Sequence, residues 1–207
     1  MSEVLEKPKL VDPNSLAGRP NLNQTPLGPS GIWTLEKILS LSGDEGIELW
    51  GTLPAPTLEE MNGHYMGLGA NALDIERQQG FAKGMLNEHS RLGYWLGKAF
   101  RPTSATAGEG YNRWRYPGGE IVHNQRMITR VQNSIIDGKP VYAIDYPSVN
   151  PKTTLFDELR RLDDGVYIGT ATTATADGGR TKMGMFLLVG PTDRWAGGPF
   201  GPDWREV

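Results

Sequence analysis

The 207-residue chain contains no cysteine, which excludes disulfides, thiol nucleophiles and cysteine-ligated zinc together. Charge of one predominant sign is also missing. The 21 Lys and Arg stand against 24 Asp and Glu, a formal net charge of -3, too even to gather nucleic acid or an anionic membrane. No run approaches the roughly 20 apolar residues of a membrane span, and the opening "MSEVLEKPKLVDPNSLAGRP" lacks the apolar stretch of a secretion signal. The expectation is a cytoplasmic protein with neither nucleic acid nor membrane as partner. Histidine is scarce: His64, His89 and His123 stand alone, none at H-x-x-x-H or H-x-E spacing, so no metal is expected. There is no G-x-S-x-G elbow, no phosphate-cradling G-x-x-x-x-G-K-[ST] loop and no dinucleotide fingerprint. Hydrolase and nucleotide readings lose their support, and no cofactor is expected.

What the chain has in excess is glycine (27) and proline (15), alongside six Trp and seven Tyr. That mixture predicts many short strands joined by tight turns around an aromatic core. Residues 1–31 carry prolines at 8, 13, 20, 26 and 29 without apolar periodicity and read as an extended arm. Residues 32–207 then form a single domain. "TLEKILSLSGDEGIELW" has Leu35, Ile38, Leu39 and Leu41 near helical spacing, with Thr34 as N-cap and Gly43 past the last turn, so one short helix is predicted there. Phe81, Met85 and His89 recur every four residues in a stretch that is either a short helix across a barrel mouth or a surface connection.

Strand signals dominate from residue 93. "GYWLGKAF", "EGYNRWRY", "EIVHNQRMITRVQNSI", "KPVYAIDY", "LFDELRRL", "GVYIGTATTA" and "RTKMGMFLLVG" are separated by turn-forming sequences such as Pro117-Gly118-Gly119 and Asp163-Asp164-Gly165. With a further strand near Tyr65 they make about eight. The fold class expected is mainly β, a closed or nearly closed antiparallel β-barrel, with a β-sandwich as the rival.

Reading Asp137-Gly138 as a two-residue turn sets Ile136 opposite Lys139 and fixes a register. Thr129 then faces Tyr146, Val131 faces Ile144, and Asn133 faces Tyr142. Arg130 falls opposite Asp145 on the other side of the sheet. The more apolar face gathers His123, Met127, Thr129, Tyr142, Ile144 and Tyr146 and is expected to point inward. There His123, Thr129, Tyr142 and Tyr146 either orient a small molecule within apolar walls or satisfy one another in the core. Arg130 and Asp145 read either as an exposed cross-strand pair or, on a lining face, as an acid-base or anion-holding element. Arg113, in the alternating "GYNRWRY", is a candidate for meeting a ligand carboxylate or phenolate. "LEEMNGHYMG" brings His64 near Glu59 and Glu60 as a proton carrier or as a solvated strand end.

Gly93, Trp95 and Gly97 form G-x-W-x-G on a predicted strand. This resembles the signature of lipocalin-like, calycin-type barrels and the form found in nitrobindin-like proteins and in bacterial families named for the motif. "EEMNGHYMG", "WLGKAF" and "FDELRRLDDGVYIGTA" are similar to those bacterial families, over roughly residues 57–190. The glycine-rich continuation of haem-binding nitrobindins is absent after Gly97, so the resemblance does not imply haem. It does imply that Trp95 plugs one barrel end and stacks on an arginine late in the chain, Arg194 or Arg205.

Two functions follow as expectations. One is uptake of a small apolar or aromatic molecule in a barrel pocket, as carrier or sensor, lined by Met127, Thr129, Tyr142, Tyr146 and Arg113. The other is cofactor-independent isomerase, cyclase or lyase chemistry in the same pocket, with His123 or His64 as base and Arg130 or a tyrosine, beside Asp145, holding developing charge. The aromatic tail with Trp195, Phe200 and Trp204 must pack on its own barrel or on a second copy of the chain, and so is a candidate homo-oligomer contact.

Overall fold

The computed structural model describes residues 22–70, 75–181 and 183–201. Most of the expected arm, together with Trp204 and Arg205, therefore lies outside the described residues. Eight strands, β1 (Gly63–Gly69), β2 (Tyr94–Pro102), β3 (Gly108–Arg115), β4 (Ile121–Asn133), β5 (Pro140–Asp145), β6 (Phe156–Asp163), β7 (Val166–Thr172) and β8 (Gly184–Asp193), follow one another around a closed barrel. Every neighbour is antiparallel, and β8 pairs with β1 to complete the ring. This is the lipocalin-like architecture expected; closure leaves no free sheet edge, and the sandwich rival is ruled out.

One end of the barrel is closed. The segment 54–62 runs across it, held where Arg161 N donates to Pro54 O (2.8 Å), Tyr65 Oη donates to Glu60 O (2.7 Å) and Arg161 pairs with Glu60 (2.7 Å). Leu58 and Met61 from this segment join Tyr65, Phe100, Met127, Tyr142, Leu159, Tyr167 and Leu188 in a packed aromatic core. The opposite end carries helix α3 (Ile75–Met85) between β1 and β2.

A second apolar layer lies outside the wall. Helix α1 (Leu35–Leu39) is capped by Thr34, as expected, but the chain helicates again at once as α2 (Gly43–Thr52). The signal for α2 is the capping box Ser42-x-x-Glu45: Ser42 Oγ accepts from Glu45 N, and Glu45 Oε2 accepts from Ser42 N at 2.7 Å. Gly43 thus opens a helix instead of ending one. Ile38 and Trp50 bury against Val141, Ile168 and Leu187 on the outer faces of β5, β7 and β8. Arg160, fully buried, bolts α2 to the wall. Its guanidinium lies 4.0 Å from the Trp50 ring centroid, donates to Trp50 O (3.1 Å) and grips Asp137 through two 2.7 Å bonds. That grip holds the Asp137 carboxyl down at about 2, against a smaller opposing effect of burial.

The β4–β5 connection differs from the expected two-residue turn. Ser134 N donates to Lys139 O (2.8 Å) and Gly138 N to Ser134 O (3.1 Å), which makes a longer loop and moves the register by two. Thr129 pairs with Ile144, Val131 with Tyr142 and Arg130 with Ala143. An even displacement keeps every side chain on its expected face, so Thr129, Tyr142, Ile144 and Tyr146 do point inward. His123 does not. Gly110 pairs with Met127 but Asn112 with Asn124, so β4 carries an extra residue at a bulge, where Gln125 has φ 48°. The phase reverses there and His123 turns to the outer wall.

Candidate functional site: the barrel lumen

A second bulge, on β2, builds the lumen. Trp95 pairs with Trp114 while Gly97 pairs with Arg113, leaving an extra residue between them. Plain alternation would send residues 95 and 98 to opposite faces; the bulge turns both inward. Trp95 lies over β1 at Gly67, where a Cβ would come within 2.4 Å of its indole. Lys98 enters the barrel opposite Asn112.

There Lys98 forms the centre of a connected polar layer. Its ammonium sits 2.9 Å from Asp157 Oδ2, donates to Asn112 Oδ1 (3.1 Å) and bonds the Tyr146 hydroxyl. Tyr146 Oη donates to Asp157 Oδ2 (3.1 Å) and accepts from Asn112 Nδ2 (3.1 Å); Trp95 Nε1 donates to Asn112 Oδ1 (3.0 Å). All five side chains are buried. Burial pulls the Lys98 ammonium below the ordinary lysine range and Asp157 resists it; burial, reinforced by the Asp157 charge, drives the Tyr146 phenol well above its usual value. Asp157 Oδ1 and Trp114 Nε1 are buried with no hydrogen-bond partner among the described residues.

Above this layer the barrel is open. A cavity of about 260 Å³ is bounded by Phe81 and Met85 of α3, by Trp95, Trp114 and Phe186, and by Leu155 and Ala171 around the rim, with Lys98, Asn112, Tyr146 and Asp157 among its lining. Helix α3 is thus the cavity's roof, the barrel-mouth alternative of the two expected for this stretch. Phe81 meets Trp95 edge-on at 5.9 Å. Gly80 and Gly84 of α3 face open space. Replacing either by Ala should stabilise the fold by up to about 1 kcal/mol in urea titration, because the helix gains propensity without a clash.

The residues singled out from sequence divide between three places. Tyr146 lines the cavity. Met127, Thr129 and Tyr142 point inward but sit in the packed half, where Tyr142 Oη donates to Thr129 Oγ1 (2.8 Å). Arg130 and Asp145 are joined on the outside at 2.7 Å although no longer directly opposed. Burial pushes the Asp145 carboxyl up, but the Ser148 hydroxyl and amide and the Arg130 guanidinium outweigh it and hold the group low. Gly93 and Gly97 flank Trp95 at positive φ. The cation over the Trp95 indole is Lys98, 5.5 Å from the ring centroid; Arg194 is exposed just beyond β8, and Arg205 falls outside the described residues.

His64, Tyr111 and His123 gather on the outer wall. His64 Nε2 bonds the Tyr111 hydroxyl at 2.8 Å, Tyr111 stacks on His123 with centroids 4.4 Å apart, and His123 Nδ1–H donates to Gly197 O at 2.8 Å. The tail lies over them: Trp195 and Phe200 both pack on Tyr111, beside Arg101 and Arg126. Burial, then the charges of Arg113 and His123, hold His64 down at about 4, with only Asp193 opposing. An unfolded histidine takes its proton near pH 6.5, so acid favours the unfolded chain first. The contribution of this group is complete above about pH 6.5, falls by as much as about 3 kcal/mol towards pH 4, and has no further slope below that. Urea titrations across that window should show a shallower acid limb for His64→Gln.

No family model matches the chain, and no curated protein matches it in sequence. Among solved structures, a protein from Thermomonospora curvata superposes with a TM-score of 0.50 at 18% identity, over 75% of this chain and 94% of that one. The likeness is one of fold. An odorant binding protein, OBP1, gives a TM-score of 0.37 at 12% identity over 69% of this chain and 78% of that one, too distant to bear on the site. Among the described residues no helix is long and apolar enough to cross a membrane.

Proposed function

We propose that the protein takes up one small, largely apolar or aromatic molecule in the open half of its barrel and acts as a carrier or sensor. The observation that carries this is the roofed 260 Å³ cavity itself, walled mostly by apolar side chains, with polar groups at the Lys98–Asp157 layer and at Gln125. Such a division gives affinity from the walls and orientation from a few fixed groups. Tyr146 is the sequence-expected residue that meets the ligand; Met127, Thr129 and Tyr142 stiffen the half beneath it. We also group the chain with the G-x-W-x-G families, on the strength of Gly93, Trp95 and Gly97. Native mass spectrometry of protein purified from its own host tests the reading: a stoichiometric small-molecule adduct is expected, and it should vanish in Ala171→Trp, which fills the rim. An adduct that survives this substitution would overturn it.

One observation favours a second reading. Lys98, Tyr146 and Asp157 form a chain of proton-bearing groups beside the cavity, which suits cofactor-independent isomerase, cyclase or lyase chemistry. These groups then take the roles expected of His64 and His123, which stand on the outside. Turnover of an extracted ligand that persists in Lys98→Met/Asp157→Leu would count against this reading.

A further inference from the structure

The cavity's own chemistry narrows what it takes up. Resting on the binding function proposed above, we infer that the ligand is a neutral mono- or bicyclic aromatic molecule bearing a hydroxyl, which donates to Asp157 Oδ1 while the same head accepts from Trp114 Nε1.

Size comes first. At protein-like packing, 260 Å³ accommodates roughly a dozen non-hydrogen atoms, which admits one or two fused rings and excludes long acyl chains. The walls agree with flat rings, since Phe81, Trp95, Trp114 and Phe186 present aromatic surface. Neutrality follows from the polar layer. Lys98 and Asp157 already cancel one another at 2.9 Å, and both are almost wholly buried. A charged ligand would bring an uncompensated ion into a low-dielectric pocket. The head group follows from what the layer leaves unmet. Asp157 Oδ2 is shared between Lys98 and Tyr146, whereas Oδ1 has no partner. A carboxylate oxygen accepts only, so its missing partner is a donor. Trp114 Nε1 donates only, so its missing partner is an acceptor. A hydroxyl has both capacities, donating to the one and accepting from the other. Tyr146 cannot supply the donor, its proton being committed to Oδ2, and Lys98 is occupied by Asn112, Tyr146 and Oδ2.

Equilibrium dialysis against 2-naphthol, naphthalene and 2-naphthoate tests this. The expected result is that 2-naphthol binds at least tenfold more tightly than either of the others. In Lys98→Met/Asp157→Leu the preference over naphthalene should fall below threefold, and Trp114→Phe should weaken 2-naphthol several-fold more than it weakens naphthalene. Circular dichroism verifies that each variant is folded. Equal affinity for 2-naphthol and naphthalene, both lost in Ala171→Trp, would overturn the head-group assignment and leave lumen binding standing. Tight binding of 2-naphthoate would overturn neutrality. Failure of all three to bind, or binding unaffected by Ala171→Trp, would overturn the assignment and the lumen reading together.

Discussion

Lys98→Met should destabilise the protein by about 3–5 kcal/mol, because it strands a buried carboxylate whose partner is gone. Asp157 is 2% exposed and shares Oδ2 with Lys98 and Tyr146, so without the ammonium one hydroxyl faces a full negative charge in a closed barrel. Asp157→Leu should cost a similar amount by leaving the cation. The double variant Lys98→Met/Asp157→Leu should instead return to within about 2 kcal/mol of the parent, since methionine and leucine fit an apolar lumen and the desolvation of two ions is no longer incurred. Urea denaturation of the four proteins gives the coupling directly. Additive losses would mean that the two groups do not act as a pair. The cycle bears on the proposed function because a pair that is no better than an apolar substitute for stability fits the ligand-orienting role proposed for it.

That pair was hidden in the sequence, and the reason is geometric. Four of the seven connections between strands are punctuated, by Pro117-Gly118-Gly119, Asp137-Gly138, Asp163-Asp164-Gly165 and Asp177-Gly178-Gly179, which makes the strands from β3 onward the most legible. A bulge, by contrast, is one extra residue with no composition of its own, and it reverses the inward and outward sets beyond it. Strict alternation through β4 carries His123 into the lumen with Met127; the bulge at Gln125 carries it out. Alternation through β2 from Trp95 leaves Lys98 outside, where a lysine is unremarked. The register displacement at Asp137-Gly138 did no comparable harm, being even. The missed helix α2 had a signal in Ser42 and Glu45, but Gly43 beside it reads equally as a stop.

Gly97→Ala should cost about 3–5 kcal/mol, the sum of a disfavoured backbone conformation and a collision that no rotation relieves. Gly97 has φ +127°, and a Cβ there would fall 2.0 Å from Tyr65 O and 2.6 Å from Gly67 N, both backbone atoms of the neighbouring strand. Gly118→Ala is the control, at φ +88° with nothing within 4 Å of its added Cβ; it should cost only about 1–2 kcal/mol. The difference between the two, read by urea denaturation, isolates the close approach of β1 to β2. The consequence reaches the site because the bulge ending at Gly97 is what lets Trp95 and Lys98 face the same side. If Gly97→Ala folds by straightening β2, one of them must leave the lumen. Near-ultraviolet circular dichroism of the indoles should then change, and binding of 2-naphthol should weaken more than the loss of stability at Gly118 would explain. The glycine after the tryptophan in G-x-W-x-G is, on this account, the residue that delivers a lysine to the floor of the cavity.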